Sequence, residues 1–248
     1  MRRETIGKGL LLLALSFSGP IAHAAEFDCG SLDSTLGPFD YNDPAQRVPN
    51  GENPMGMVKR VENVHFQPDM MYLNIKRFFP DRLRSEFLYT LGIFPNHRLA
   101  LNSFSRLEHL YGKQLSPAPK RQTADCAFDR AIRFRPEDKS LRFVYGLHLH
   151  QAGKLRDALK EYELAESLGE DSGNFYYNYG LLLTDLKNWD LAQKYAEKAY
   201  ASGISLPGLA NKLQRSGHPR PPSPPASPVS PAAETPSRTE EIDPGSSK

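Results

Sequence analysis

Apolar positions recur with a helical period over residues 68–215, and the pattern itself repeats. When the sequence is shifted by 34 residues, FYYNYG at 175–180 lies over LRFVYG at 141–146. Further apolar and small residues coincide at the same offset: Leu149 with Leu183, Leu155 with Trp189, Ala158 with Ala192, and Ala165 with Ala199. A fixed period of this length predicts an array of similar units that stack on one another, because one unit cannot bury its apolar face alone.

Small residues indicate how each unit folds. Gly146 and Gly180 lie in the middle of apolar stretches, and Ala158 and Ala192 follow twelve residues after them, across a short polar turn. Small side chains at these positions let two antiparallel helices approach closely while larger residues fill the flanks. The pattern therefore predicts an all-α fold built from helix–turn–helix pairs.

These features resemble the tetratricopeptide repeat (TPR). The matching positions are Tyr145, Gly146, Leu149, Ala158, Tyr162 and Ala165 in one copy and Tyr176, Tyr179, Gly180, Leu183, Ala192 and Ala199 in the next. The chain departs from the repeat at Arg142 and Ala196, where aromatic residues are usual, and at Glu170 and Ile204, where the repeat would have proline. The resemblance implies a right-handed α-solenoid.

Weaker copies of the pattern flank these two units. One unit with an insertion is predicted upstream, with Arg98–Tyr111 as its first helix, and a fainter unit begins near Pro68. A capping helix is predicted to start near Pro207. Several segments, CGSLDSTLGPFDYNDP at 29–44 among them, resemble a group of exported proteobacterial TPR proteins. That resemblance implies a fold and a compartment but no activity.

The chain is predicted to divide into four segments. Residues 1–24 form a signal peptide, residues 25–66 an irregular N-terminal arm, residues 67–215 the helical array with its capping helix, and residues 216–248 a Pro/Ser-rich tail. The tail has too few apolar residues to offset the entropy of ordering, so we expect it to be disordered.

The signal peptide prediction depends on the first residues of the chain. A basic leader containing Arg2 and Arg3 precedes the apolar run Leu10–Phe17, and Ala22-His23-Ala24 suits cleavage before Ala25. The alternative, a retained membrane anchor, would need about 20 apolar residues, and this run is shorter. Cleavage predicts export to the periplasm.

The net charge of the chain bears on which classes of partner it is expected to bind. The whole chain has a net charge of +2, and removal of residues 1–24 lowers this to about zero. A neutral mature chain without a basic stripe is not expected to bind nucleic acid. No other stretch is apolar for long enough to predict an integral membrane segment after cleavage.

The two cysteines, Cys29 and Cys126, are expected to form a disulfide in an oxidising compartment. Such a bridge would tie the arm to the second helix of the unit with the insertion. The alternative is a pair of free thiols, one of them buried in a helix.

Candidate chemistry is sparse. His148 and His150 are two residues apart on a predicted helix, so they point in different directions and cannot share a metal ion. The run GEDSG at 169–173 resembles a serine protease motif, but Ser172 falls in the link between two helix pairs. We therefore expect no catalytic residue, no metal site and no cofactor, and hence no enzyme.

The resemblance to TPR proteins implies that the first helix of each pair lines a concave surface. The residues predicted to lie on this inner face are Phe143, Leu147, His150, Tyr177, Leu181 and Asp185. The Lys and Asn residues that clamp a carboxylate in some TPR proteins are missing, so an aromatic and apolar face suited to a peptide segment or helix is expected.

Two functions are consistent with such a face. The first is a periplasmic scaffold or adaptor whose inner face binds a protein or peptide partner. The alternative is a structural accessory subunit whose inner face is filled by its own N-terminal arm.

Overall fold

A computed structural model describes residues 29–34, 36–51 and 54–222 of the chain. Regular structure within these ranges is entirely helical, which confirms the predicted all-α class. The α-helices in them are α1 (Met57–His65), α2 (Pro68–Met71), α3 (Pro80–Ile93), α4 (Arg98–Tyr111), α5 (Ala124–Phe134), α6 (Lys139–Gln151), α7 (Leu155–Ser167), α8 (Gly173–Asp185), α9 (Trp189–Ala201) and α10 (Gly208–Arg215). The predicted signal peptide, and the predicted tail from residue 223 onward, lie outside the described residues.

The 34-residue period corresponds to two helix pairs, α6–α7 and α8–α9. Three residues separate the helices of each pair, and the paired helices pack along their length. The pairs stack, since α8 contacts both α6 and α7, and α4 packs on α6 from the other side. Stacked pairs of this kind are the arrangement expected from the repeat.

Gly146 and Tyr162 form the contact that joins α6 to α7. A β-carbon added at Gly146 would lie 2.8 Å from Cδ2 of Tyr162 and 3.4 Å from the carbonyl oxygen of Ala158. The Tyr162 ring is fully buried, and its centroid lies 5.7 Å from that of Phe175 and 5.0 Å from that of Tyr179 on α8. One ring therefore fills the space beside a glycine and also contacts the next helix pair.

Helix α10 continues the repeat, because it occupies the place of the first helix in a further pair. Leu141, Phe175 and Leu209 are spaced 34 residues apart on α6, α8 and α10, and all three are fully buried. A β-carbon at Gly180 would lie 2.6 Å from a methyl carbon of Leu209, so the missing side chain at Gly180 makes room for α10.

Two segment predictions need correction. The arm, predicted to be irregular over residues 25–66, contains helix α1, whose Val58 and Val61 pack against Ile93 and Phe94. The tail, predicted to be disordered from residue 216, is packed at its start. The His218 ring stacks on Trp189 with centroids 5.1 Å apart, and Pro221 is buried.

The arm lies along α5 and then crosses the link between α3 and α4. Arginine side chains of α5 donate to its backbone, with Arg130 Nη1 2.6 Å from the Cys29 oxygen and Arg133 Nη2 2.7 Å from the Gly30 oxygen. Further along, the Phe39 amide donates to the Ile93 oxygen at 2.8 Å.

A disulfide fixes the start of the described arm to α5. Cys29 and Cys126, the pair that the sequence analysis expected to be bridged, are bonded with their Cα atoms 4.9 Å apart. Both residues are buried. The bridge closes a loop of 97 residues that contains α1 to α4.

The disulfide should contribute strongly to stability. Cys29→Ala should lower the free energy of unfolding by about 2–5 kcal/mol, because the unfolded chain regains the freedom of a long loop. Urea titration of the wild type and the variant measures this difference. Reducing agent should destabilise the wild type and leave the variant unchanged; equal wild-type stability with and without reductant would contradict the assignment.

The glycine contact gives a second prediction with a matched control. Gly146→Ala should destabilise the protein by about 1–3 kcal/mol, because the fully packed Tyr162 ring cannot move away from the new methyl group. Gly92→Ala, in α3, meets no atom within 4 Å and should stabilise it by about 0.5–1 kcal/mol through helix propensity. Thermal denaturation of both variants tests the pair, and shifts of the same sign would disprove the packing argument.

Candidate functional site

The six residues predicted to form the inner face lie on two neighbouring helices, α6 and α8. These helices contact each other, and α10 packs on the other side of α8. At intervals of 34 residues the three helices carry Phe143, Tyr177 and Asn211. The inner face therefore spans three helices, and the equivalent position on the third helix, α10, is polar.

The two aromatic residues of the inner face are more enclosed than predicted. Phe143 is partly buried, and its ring centroid lies 5.8 Å from that of Tyr162 and 5.6 Å from that of Phe175. Tyr177 is only 8% exposed, because α10 begins directly above it. A β-carbon at Gly208 would lie 2.6 Å from the Tyr177 hydroxyl oxygen.

The prediction that Tyr177 is an accessible binding residue is therefore wrong. Its ring supports the start of α10, and truncation would remove buried contacts there. In the sequence, Gly208 could have indicated this burial, since a glycine at the start of α10 permits the close approach of the Tyr177 ring. Tyr179, two positions later, is buried as predicted, at 3% exposure.

Leu147 and Leu181 supply the apolar part of the inner face that remains accessible. Both are partly buried and lie one helical turn after Phe143 and Tyr177 respectively. Leu181 also contacts the core of the α8–α9 pair. The two leucines occupy equivalent positions on adjacent helices, and we call this pair of positions the apolar strip.

A row of hydrogen-bonded polar side chains borders this strip. His150 Nε2 lies 2.9 Å from an Asp185 carboxylate oxygen, and the other oxygen accepts a hydrogen bond from Lys212 on α10. Burial alone would raise the pKa of Asp185, but the hydrogen bonds from Lys212 and His150 outweigh it and hold this pKa below its usual value. His150, Asp185 and Lys212 thus link three successive first helices. The repeat could not identify Lys212, because α10 has little sequence likeness to α6 and α8.

The described arm residues contact other parts of the array. Arg135 of the α5–α6 link pairs with Asp40 at 2.8 Å, and Asn42 donates to Asp138 at the start of α6, 2.7 Å away. These contacts, with those to α5 and the α3–α4 link, place the arm away from the strip formed by Leu147 and Leu181. The element that covers part of the inner face is α10.

A serine, a histidine and an aspartate are linked between α4, α5 and α6. Ser105 Oγ lies 2.8 Å from His148 Nδ1, and His148 Nε2 lies 2.8 Å from Asp125. The hydrogen bond from His148 lowers the pKa of Asp125. A cavity of about 210 Å³ adjoins this group and is lined by Ser105, Glu108, His109, His148, Gln151 and Ala152. The sequence analysis did not find this group because its members lie on three different helices, at separations that the 34-residue period does not record.

A second polar cluster holds the arm to the link between α3 and α4. His97 is fully buried; its Nδ1 accepts from the Ala100 amide at 3.2 Å, so its Nε2 carries the proton and donates to Glu62 at 3.2 Å. The Tyr41 ring of the arm packs against the imidazole with centroids 4.0 Å apart, and its hydroxyl donates to the same Glu62 oxygen at 3.0 Å. Neutral His97 therefore caps α4 and joins it to α1.

The motif around Ser172 has a structural role. The Ser172 hydroxyl oxygen accepts a hydrogen bond from the Phe175 amide at 3.2 Å and so caps α8. Within the described residues no group of three or more His, Cys, Asp or Glu side chains is arranged to hold a metal ion. The described helices also include none that is long and apolar enough to span a bilayer.

Burial of His97 gives a prediction about pH. Desolvation lowers the pKa of His97 below its usual 6.5, despite the opposing effect of Glu62. Below pH 6.5 the unfolded chain therefore binds a proton that the folded protein excludes, so the free energy of unfolding should fall as the pH falls from about 7.5 to about 5. Urea titrations at a series of pH values measure this slope.

Matched variants isolate the contribution of His97. His97→Asn can still cap α4 but cannot titrate in this range, so its stability should depend less on pH. His109→Gln, which changes an exposed histidine, should keep the wild-type slope. Equal slopes for the wild type and His97→Asn would show that His97 titrates normally.

Comparison with known proteins gives one informative similarity. No family model matches the chain. Over 110 residues the chain is 30% identical to a protein of Haemophilus influenzae (strain ATCC 51907 / DSM 11121 / KW20 / Rd) that is described as an uncharacterized protein. The match covers 43% of this chain and 58% of the relative. The match therefore shows that a related sequence exists in this bacterium and assigns neither a family nor an activity.

Proposed function

We propose that the protein is an exported TPR-type scaffold that binds a peptide segment or helix of a partner protein on its inner face. The observation that carries the proposal is the apolar strip of Leu147 and Leu181, which adjacent first helices present side by side. The row formed by His150, Asp185 and Lys212 borders the strip. An apolar strip beside a polar row suits an amphipathic segment.

The position of the arm favours this function over the alternative. An accessory subunit with a self-filled inner face would need the arm to lie against α6 and α8. The described arm residues instead contact α5, the α3–α4 link and the start of α6. We therefore assign the arm to stabilisation of the N-terminal half and leave the inner face to a partner.

Export is part of the proposal. A disulfide between Cys29 and Cys126 fits an oxidising compartment, and the first 24 residues have the composition of a signal peptide. We propose that cleavage before Ala25 delivers the mature chain to the periplasm.

A hydrolase is the second candidate, because Ser105, His148 and Asp125 are connected in the order of a catalytic triad. Two features weigh against catalysis. Ser105 is only 4% exposed, and it lies in the middle of α4, where the backbone amides are used in the helix itself. Such a serine has no adjacent amide to stabilise an oxyanion. We propose instead that the three residues tie α4, α5 and α6 together.

Site-specific photocrosslinking tests the binding face. With a benzoylphenylalanine at position 181, the protein should form a discrete adduct with a periplasmic protein, whose crosslinked peptide is then identified by mass spectrometry. The same probe at position 163, an exposed residue of α7, provides the control and should give no such adduct.

The identified peptide then allows a quantitative test. Leu147→Ala and Leu181→Ala together should weaken its binding by roughly tenfold or more, because each removes partly exposed apolar contact area worth about 1 kcal/mol. Binding is measured by isothermal titration calorimetry, with Leu110→Ala as the control. Unchanged affinity in the double variant, or equal crosslinking at positions 163 and 181, would refute the proposed face.

A further inference from the structure

Two of the large apolar side chains in the described residues are far more exposed than a folded surface requires, and both belong to one loop. Tyr72 is 70% exposed and Phe79 is 67% exposed. They lie at the two ends of the segment that joins α2 to α3, which we call the aromatic loop (residues 72–79). Ile75, between them, is 38% exposed.

The aromatic loop is held in place by its own backbone and by buried residues. The Asn74 amide donates to the Asp69 oxygen at 2.8 Å, and the Phe78 amide donates to the Asn74 oxygen at 2.9 Å. Leu73 is buried at 5% exposure, and Phe78 packs partly against the same core. The exposed rings therefore project from an ordered loop.

The backbone at Leu73 is strained in a way that supports this projection. Leu73 has a φ of 57°, in the left-handed region that residues with a β-carbon rarely adopt. Such a conformation is unfavourable for a residue with a β-carbon. Here it turns the chain so that Leu73 is buried while its neighbour Tyr72 stays in solvent.

Positive charge accompanies the exposed rings. Lys76 and Arg77 lie within the loop, which contains no acidic residue. Arg77 pairs with Asp69, and the nearby Arg82 and Arg84 of α3 pair with Glu86 and Asp81. The attraction to an anionic surface therefore rests mainly on Lys76.

The C-terminal end of the array, in contrast, has a polar surface. There α10 covers the last helix pair and directs Asn211, Lys212 and Arg215 outward or to its flanks. Terminal units of a repeat array normally need such a polar outer surface. The exposed aromatic loop at the N-terminal end departs from that rule, and this indicates a contact surface.

We propose that the aromatic loop is a membrane contact site that inserts Tyr72, Ile75 and Phe79 into the interface of a bilayer containing anionic phospholipid. Aromatic side chains are favourable at the level of lipid headgroups, and Lys and Arg beside them are attracted to anionic lipids. A bilayer accepts projecting side chains without a matching groove, whereas a protein partner would need a complementary pocket for each ring. The contact is peripheral and reversible, since few apolar residues take part.

Vesicle co-sedimentation tests the proposal with the purified protein, expressed with its own leader so that it is processed as in the cell. Vesicles of phosphatidylglycerol and phosphatidylcholine in equal parts are compared with vesicles of phosphatidylcholine alone. The protein should bind the anionic vesicles, and the binding should weaken as salt is raised. Absence of binding to the anionic vesicles would overturn the proposal.

Paired variants identify the loop as the contact. Tyr72→Ser with Phe79→Ser should reduce vesicle partitioning by about tenfold or more, because each exposed ring adds apolar burial in the interface. Lys76→Gln with Arg77→Gln should reduce it and weaken its dependence on salt. The control, Leu110→Ser with Leu206→Ser, changes side chains that are 55% and 52% exposed elsewhere and should bind as the wild type does.

Two further measurements separate the possible outcomes. Circular dichroism should show equal melting for all variants, since the changed side chains are exposed. Light scattering after gel filtration detects self-association. A wild-type dimer that the aromatic variant converts to a monomer, together with unchanged vesicle binding, would assign the loop to a protein interface and overturn the lipid proposal. Equal vesicle binding by the aromatic variant and the control would also overturn it.

Discussion

Packing of the Tyr162 ring against Gly146 is the contact on which the arrangement of the repeats depends. The ring takes the space that a side chain at position 146 would fill, and it reaches across to Phe175 and Tyr179 of the next pair. Its hydroxyl is buried without a hydrogen-bond partner among the described residues, which costs about 1–3 kcal/mol. Burial also raises the pKa of Tyr162 strongly, so the phenol stays neutral. The packing of the Tyr162 ring against both helix pairs must stabilise the fold by more than the unpartnered hydroxyl costs.

Close packing also decides what the inner face can present. Gly180 and Gly208 let α10 pack closely on α8, so Tyr177 becomes part of the packing. Phe143 packs against the rings of Tyr162 and Phe175. One turn further along, Leu147 and Leu181 stay accessible. The accessible side chains of this face are therefore aliphatic and polar, where the sequence alone suggested an aromatic surface.

Contacts within the repeat could be predicted from the sequence, whereas contacts between different units could not. The helix pairs and the bounds of α4 could be predicted because the repeat encodes contacts between residues at fixed separations. The pairing of Cys29 with Cys126 followed from there being only two cysteines. The burial of Tyr177 could not be predicted, because it depends on where a short capping helix packs. The hydrogen bond between His150 and Asp185 and the link between Ser105 and His148 join helices of different units, and no local period records such contacts.

The two halves of the array are consequently held by different forces. Ring packing around Tyr162 and Tyr179 holds the pairs α6–α7 and α8–α9 together. These contacts depend on neither redox state nor the titration of a histidine. The N-terminal half lacks clear repeats and relies on the Cys29–Cys126 bridge and on neutral His97 beneath Tyr41. Reduction or acid should therefore loosen α1 to α4 before the C-terminal pairs. Because the aromatic loop lies in that sensitive half and the strip of Leu147 and Leu181 lies beyond it, the proposed membrane contact and the proposed partner binding should respond independently to a change of pH or redox state.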